Sequence, residues 1–387
     1  MVYKFNDDAL SRVYALNGNI KLSAYSLEGV MIHNEVVPDP YLPDRLLIFE
    51  DNFNGDALDS ETWVPEVGYI RGDTRLYQST DVSVDNGHLL VSAKRDTLSR
   101  DGWTQGSIGS EGCRSWMYGR FEAKMKCTND KGAFPAFWCV ADAYYKVLEN
   151  LGNNDGTVDF PRQEEGDAGG VTCPLSGEID IVEVYNENWG AGTAVGPGAN
   201  LWSTNQTPSI SLGAEFFPYN IDVTQYHVYA MEWTSEYIEA LIDGTAYKRW
   251  SFSDYDPDLV KGYTTYPFSI LLSQGSVGSD DGTNEHHLTV DWVRVYAPAD
   301  ITQEIPVESV SIPSTFRLKK GYKKYMVANI TPKTATNRHL SWNSSNNNVV
   351  RVEHGLMYGI NYGEATLTAV SDNGKTASCT VTVADEY

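Results

Sequence analysis

Residues 237–250 read Tyr237-Ile238-Glu239-Ala240-Leu241-Ile242-Asp243-Gly244-Thr245-Ala246-Tyr247-Lys248-Arg249-Trp250. Two β-rich runs flank Asp243-Gly244, the pair that a two-residue hairpin turn favours because both central positions need positive φ. Asn86-Gly87 precedes a second run of this kind, at 87–93. Working outward, further runs lie at 118–126, 176–185, 226–233, 268–272 and 288–296, separated by Gly, Asn, Asp and Pro. Hardly any stretch holds a helical period over three turns. An antiparallel all-β protein follows, and this many strands between 46 and 298 suits one large sandwich.

After Tyr296 the chain runs Ala-Pro-Ala-Asp-Ile-Thr-Gln-Glu-Ile-Pro, which reads as a linker over 299–306. Alternating runs at 307–312, 325–330, 365–370 and 377–383 then suit a small second β-sandwich over 307–387. Charge supports the division. The 387 residues hold 29 Lys and Arg against 52 Asp and Glu, a net −23, yet residues 306–387 carry +3. Residues 1–45 contain one hairpin-like stretch around Asn17-Gly18-Asn19 and read as an N-terminal extension or the remnant of a preceding domain, since a lone hairpin is marginal in water. Residues 142–176 lack alternation and are too long for an ordinary connection, so a functional surface loop is expected there.

The acidic balance argues against nucleic acid or an anionic membrane as partner, because both are gripped by clustered Lys and Arg. No apolar window is long enough to span a bilayer, so no membrane insertion is expected. Met1-Val2-Tyr3-Lys4 opens no apolar leader, and an export signal would be encoded upstream. The five cysteines, Cys113, Cys127, Cys139, Cys173 and Cys379, form no zinc-binding spacing and are expected as buried free thiols.

The chemistry concentrates in Ser176-Gly177-Glu178-Ile179-Asp180-Ile181-Val182-Glu183-Val184-Tyr185. Alternation puts Glu178 and Asp180 on one face of a strand and Glu183 on the other. One extra residue near Ile181 or Val182, a β-bulge, would return Glu183 to the first face. Three carboxylates on one face repel each other and add nothing to packing. Retaining glycoside hydrolysis gives them a use, since it needs one carboxylate as nucleophile and a second as acid and then base, about 5–5.5 Å apart. Asp180, between the glutamates, would hold them in different protonation states.

With this motif the sequence resembles glycoside hydrolase family 16 in its bulged Glu-x-Asp-x-x-Glu, laminarinase-like form. The resemblance extends to 49–55 with Trp63, 118–123, 134–138, 226–229 with Glu232-Trp233, and 290–296, and so covers 46–298. It implies a concanavalin-like β-jelly roll with a concave cleft, Glu178 as nucleophile, Asp180 as its assistant and Glu183 as acid/base. A structural calcium, held by the backbone oxygens of Glu50 and Gly87 and the side chain of Asp291, is a further implication, with no cofactor for catalysis. Residues 307–385 resemble a group 2 bacterial immunoglobulin-like domain, a type that serves as spacer or adhesion module.

A polysaccharide cleft needs flat rings and hydroxyl partners. Trp138, Trp116, Trp202, Arg71 and Gln274 are the candidates. Trp63, Trp233, Trp292 and Trp342 are expected in cores, His227 as a satisfied structural histidine, and His286-His287 as exposed. The expected activity is endo-hydrolysis of β-1,3- or mixed β-1,3/1,4-glucan by a secreted or cell-surface monomer, with residues 142–176 walling one end of the cleft. An agarase-, porphyranase- or carrageenase-type galactanase, or a carbohydrate-binding protein without turnover, are the alternatives.

Overall fold

The computed structural model describes residues 45–68, 76–97, 99–100, 102–141, 177–185, 196–204, 210–276 and 282–385 together with Leu42, and the backbone of five strands elsewhere. Four of those form a meander, Val2–Phe5, Ala9–Leu16, Asn19–Ser26 and Met31–Pro38, whose second and third members pair up to Leu16 opposite Asn19, as the Asn17-Gly18 turn predicts. The fifth is Thr157–Val158. The rest of the 142–176 segment lies outside the described residues.

The large domain is one hydrogen-bonded ribbon folded into two layers. Its path runs Glu215–Phe216, Gly196–Leu201, Glu178–Tyr185, Ala133–Ala141, Phe268–Ser276 and Trp103–Gly109, then His88–Arg95, Glu285–Tyr296, Gly119–Cys127, His227–Trp233, Tyr237–Ile242 and Thr245–Ser251. Trp103–Gly109 is the hinge between the layers. Its residues 106–109 pair with Phe268–Ser276, and its residues 103–105 pair with His88–Arg95.

Alternation explains the core. Phe121, Ala123, Met125 and Cys127 point inward from one layer, while Phe268, Ile270 and Leu272 point inward from the other. Trp63, Trp233, Trp250, Phe121 and Phe137 are among the largest fully buried side chains, and burying each is worth roughly 1.5–3 kcal/mol or more. Cys127, Cys139 and Cys379 are free and buried, Cys113 is buried too, and Cys173 lies outside the described residues. Nearby, His227 bonds Asp243 Oδ2 at 2.6 Å and the Asp222 carbonyl at 3.1 Å, a structural role. His286 differs from expectation. It is buried and stacks on Trp103 with centroids 4.9 Å apart, because the even register of its strand turns it inward while His287 faces out.

The second domain packs Leu340–Ser344, Gly363–Ser371, Thr376–Ala384 and the parallel strand Thr315–Lys319 against Lys323–Met326, Leu356–Gly359 and Val350–Glu353. Phe316, Leu318, Val350, Met357, Leu367 and Val381 fill its core, and Trp342 lies against it. It does not hang free. Arg338, nearly buried, donates to Ser115 Oγ at 3.4 Å and to the carbonyl of Lys333 at 3.1 Å, while Lys333 Nζ donates to the Thr265 carbonyl at 2.7 Å. His339 bonds Asp372 Oδ1 at 2.8 Å and lies 3.5 Å from Glu61 Oε2 across the junction.

A guanidinium taken out of water is tolerated only while its donors are satisfied. Arg338→Ala is therefore expected to lower stability by roughly 2 kcal/mol and to let the small domain melt separately. Scanning calorimetry checks this, and an unchanged melting profile would contradict it.

Candidate active site

The acidic strand Glu178–Tyr185 is bulged. Against Ala133–Ala141 the register runs Val140 to Glu178, Cys139 to Ile179 and Trp138 to Asp180, then resumes with Phe137 to Val182 and Ala136 to Glu183. Ile181 is the extra residue. On the other side Asp180 faces Asn200 and Glu183 faces Gly198, with the same shift between them. Ile179, Ile181, Val182 and Val184 all enter the core, so Glu178, Asp180 and Glu183 emerge together on the opposite face.

The start of this strand is clamped. Gly177 has φ +107°, and a Cβ there would sit 2.8 Å from the Tyr263 ring. That close approach lets the Tyr263 hydroxyl accept from the Glu178 N–H at 3.2 Å and reach the Glu178 carbonyl at 2.9 Å and that of Trp202. Trp202 then turns its indole N–H onto Asp180 Oδ2 at 2.9 Å. Trp138 lies half-buried across from Asp180, and its indole N–H donates to Ser273 Oγ at 3.2 Å. At the far end, the Tyr185 hydroxyl donates to Glu183 Oε2 at 2.6 Å.

Crowding and burial set the protonation states. Asp180 is held well above the usual carboxylate range by burial first, then by the charges of Glu183 and Glu178, against the Trp202 N–H, and it shares a hydrogen bond with Glu178. Burial pushes Glu183 up to about 7, with the Tyr185 bond pulling down and the Glu178 charge pushing up. Such a group can give a proton and take it back near neutral pH.

Not every candidate gathers here. Trp138 and Trp202 do. Trp116 is a core residue instead, 3% exposed, with its ring 5.0 Å from Phe49 and 6.1 Å from Phe121, and its backbone bridges Phe268. Its other edge borders a cavity of about 450 Å³ at the domain junction, away from the acids. Gln274 is fully buried, because it follows Phe268, Ile270 and Leu272 in the inward register; the cleft-facing residue of that strand is its neighbour Ser273. Arg71 lies outside the described residues. Sequence reasoning missed Tyr185, Ser273 and Tyr263. Tyr185 was within reach, since a residue two past Glu183 shares its face, but nothing local points from Tyr263 to a strand 85 residues away.

Of the expected calcium ligands, the Asp291 side chain is already engaged. Asp291 is the bulge residue of Glu285–Tyr296, opposite Lys124, and its Oδ2 is taken by the Lys124 ammonium, with His88 Nε2 4.0 Å from Oδ1. The Glu50 carboxylate is bonded by Arg294 Nε at 2.7 Å. A hard dication needs several uncommitted oxygens, and here a side-chain cation holds the one carboxylate that the site was expected to supply.

Residues 168–294 match the family model for glycosyl hydrolases family 16, and residues 306–381 match that of the bacterial Ig-like domain (group 2). The stretch 168–294 is therefore similar to a family 16 glycosyl hydrolase domain. It is followed by a C-terminal bacterial Ig-like domain. The chain is 28% identical over 274 residues to the beta-glucanase of Rhodothermus marinus, covering 66% of this chain and 86% of that one. It is 26% identical over 292 residues to glucan endo-1,3-beta-glucosidase A1 of Niallia circulans, covering 67% of this chain but only 39% of the relative. A solved structure of a variant of SCLam, a non-specific endo-beta-1,3(4)-glucanase from family 16, superposes with a TM-score of 0.50 at 22% identity, over 66% of this chain and 95% of that chain, and agrees in fold.

The raised carboxyls link stability to pH. A carboxyl with a higher pKa when folded than the ~4.3 of a free Glu binds protons better in the folded state. Its contribution is full below about pH 4 and is lost as pH rises through the folded value of about 7. Glu183→Gln cannot ionise, so it is expected to melt above the parent protein at about pH 8 and to show a flatter fall in melting temperature from about pH 5 upward. Parallel melting curves for the two proteins would contradict this.

Proposed function

We propose that this hydrolase is a retaining endo-β-glucanase acting on β-1,3- or mixed β-1,3/1,4-glucan by double displacement, secreted or displayed at the cell surface and working as a monomer. The observation that carries the reading is the bulge at Ile181, which sets Glu178 and Glu183 on one face with Asp180 between them.

In the first step the Glu178 carboxylate attacks the anomeric carbon while Glu183 passes its proton to the departing glycosidic oxygen. In the second, Glu183 takes a proton from water as that water displaces Glu178. Asp180 supports the cycle. Raised by burial and by both glutamates, it holds a proton that it shares with Glu178, and the Trp202 indole fixes its orientation. This arrangement lets the nucleophile shed and regain charge without a solvent rearrangement. Trp138 and Trp202 flank the carboxylates as apolar surfaces against which a pyranose can rest.

Two relatives named for glucan hydrolysis support the substrate class. The chain's net charge of −23 supports a neutral polymer over a sulfated one, since like charge slows capture at low salt. Among the described residues no helix is long and apolar enough to cross a membrane.

Reducing-sugar release from laminarin, lichenan, agarose and κ-carrageenan is the direct test. Laminarin or lichenan is expected to be cut, and release from the galactans alone would overturn the glucan assignment. Glu178→Gln is expected to abolish turnover, and Glu183→Gln to lower it by roughly 10²–10⁴-fold. NMR of the first products should show the β-anomer ahead of mutarotation. The α-anomer appearing first would rule out double displacement.

A further inference from the structure

We propose that Tyr185 is a positioning residue for the acid/base Glu183, fixing which carboxyl oxygen carries the transferable proton. The proposal rests on the assignment of Glu183 made above. Its basis is geometric. The bulge at Ile181 resets the strand's alternation, so Tyr185, two residues beyond Glu183, rises on the same face. Its hydroxyl donates to Glu183 Oε2 at 2.6 Å, within the short range typical of a hydroxyl on a carboxylate.

The phenol is held from both flanking strands. Phe134 approaches from Ala133–Ala141 with ring centroids 5.3 Å apart and an interplanar angle of 54°. Phe216 meets the ring edge-on at 5.6 Å and 61°. Phe216 reaches that place by crossing Gly198, the residue opposite Glu183, where a Cβ would lie 3.2 Å from the Phe216 ring. Two aromatic walls thus leave the phenol little room to rotate away from the carboxyl group.

A carboxyl group offers two oxygens to substrate, and a random choice between them would halve the productive population and blur the proton's direction. With Tyr185 donating to Oε2, the proton of the neutral acid resides on Oε1. From Oε1 it moves to the glycosidic oxygen as the bond from that oxygen to the anomeric carbon breaks. In the second half of the cycle Oε1 receives the water proton as the carbon–water bond forms and the bond to Glu178 breaks. Tyr185 stays a donor in both halves, because burial and the neighbouring carboxylates push its own ionisation upward, and so it neither gives nor takes a proton. Among the described residues the titratable groups acting on Glu183 are Glu178, Asp180 and Tyr185. The flanking positions Ala136, Trp138, Gly198 and Asn200 carry no charge.

The sign of the effect follows from the donor. A phenol bonded to the carboxylate favours its ionised form. Removing the hydroxyl in Tyr185→Phe should move the alkaline limb of the kcat/KM profile upward by about one pH unit. It should also lower kcat by roughly tenfold, with KM nearly unchanged. A fall in kcat with an unmoved limb would show a packing role only and overturn the proposal, as would an unchanged profile or a downward shift. Should Tyr185→Phe fail to fold, 3-fluorotyrosine at position 185 keeps the ring and strengthens the donor, and the limb is then expected to move downward; an upward or absent shift overturns the proposal equally. A carboxyl titration by ¹³C NMR, with the Glu183 signal identified by its loss in Glu183→Gln, reads the same shift without turnover. It therefore separates failure of this proposal from failure of the glucanase assignment, which the Glu178→Gln assay decides.

Discussion

One unpaired residue, Ile181, organises the catalytic half of this molecule. In a regular strand Glu183 would follow Ile179 and Ile181 inward, among Phe137, Ile270 and Leu272, and an isolated carboxylate there costs several kcal/mol. The bulge removes that cost and creates the site in the same stroke. It sends two successive apolar side chains, Ile181 and Val182, into the core, and it turns Glu183 out beside Glu178 and Asp180. The same extra residue places Tyr185 on the acidic face. Core packing and catalytic geometry are therefore one constraint here, because no register satisfies one without the other.

Among the described residues, Asp180 and Glu183 are managed by neutral donors and by one another. The groups acting on Asp180 and Glu183 are other carboxyls, one indole and one phenol. A lysine or arginine beside them would have pulled both acids down toward ordinary values. Neutral donors orient without discharging. Trp202 fixes Asp180, Tyr185 fixes Glu183, and Tyr263 fixes the backbone from which Glu178 departs.

The amino-acid sequence carried the all-β class, the hairpin at Asp243-Gly244 and the bulge, because each depends on turn chemistry or on alternation within a few residues. The acids were legible for the same reason. Trp116 and Gln274 were not, since Trp116 is turned inward by a lone bridge to Phe268 outside any strand, and Gln274 by the register that it shares with Leu272. A ring that suits a sugar also suits a core, and composition does not separate them. The docking of the Ig-like domain was likewise hidden. Arg338 and Ser115 are 223 residues apart, and a buried guanidinium reads in sequence like any solvated one.

Two of the molecule's bulges put a carboxylate to opposite ends. In Glu285–Tyr296 a bulge projects Asp291, and Lys124 on the neighbouring strand meets it with an ammonium. In Glu178–Tyr185 a bulge turns Glu183 out, and the strand opposite supplies only Ala136. Partial exposure keeps the first pair a modest tether between strands. In the second place burial, helped by the charge of Glu178, keeps a proton on the acid near neutral pH. A bulge supplies only position, and the residue facing it decides whether the carboxylate is spent on an ion pair or left reactive.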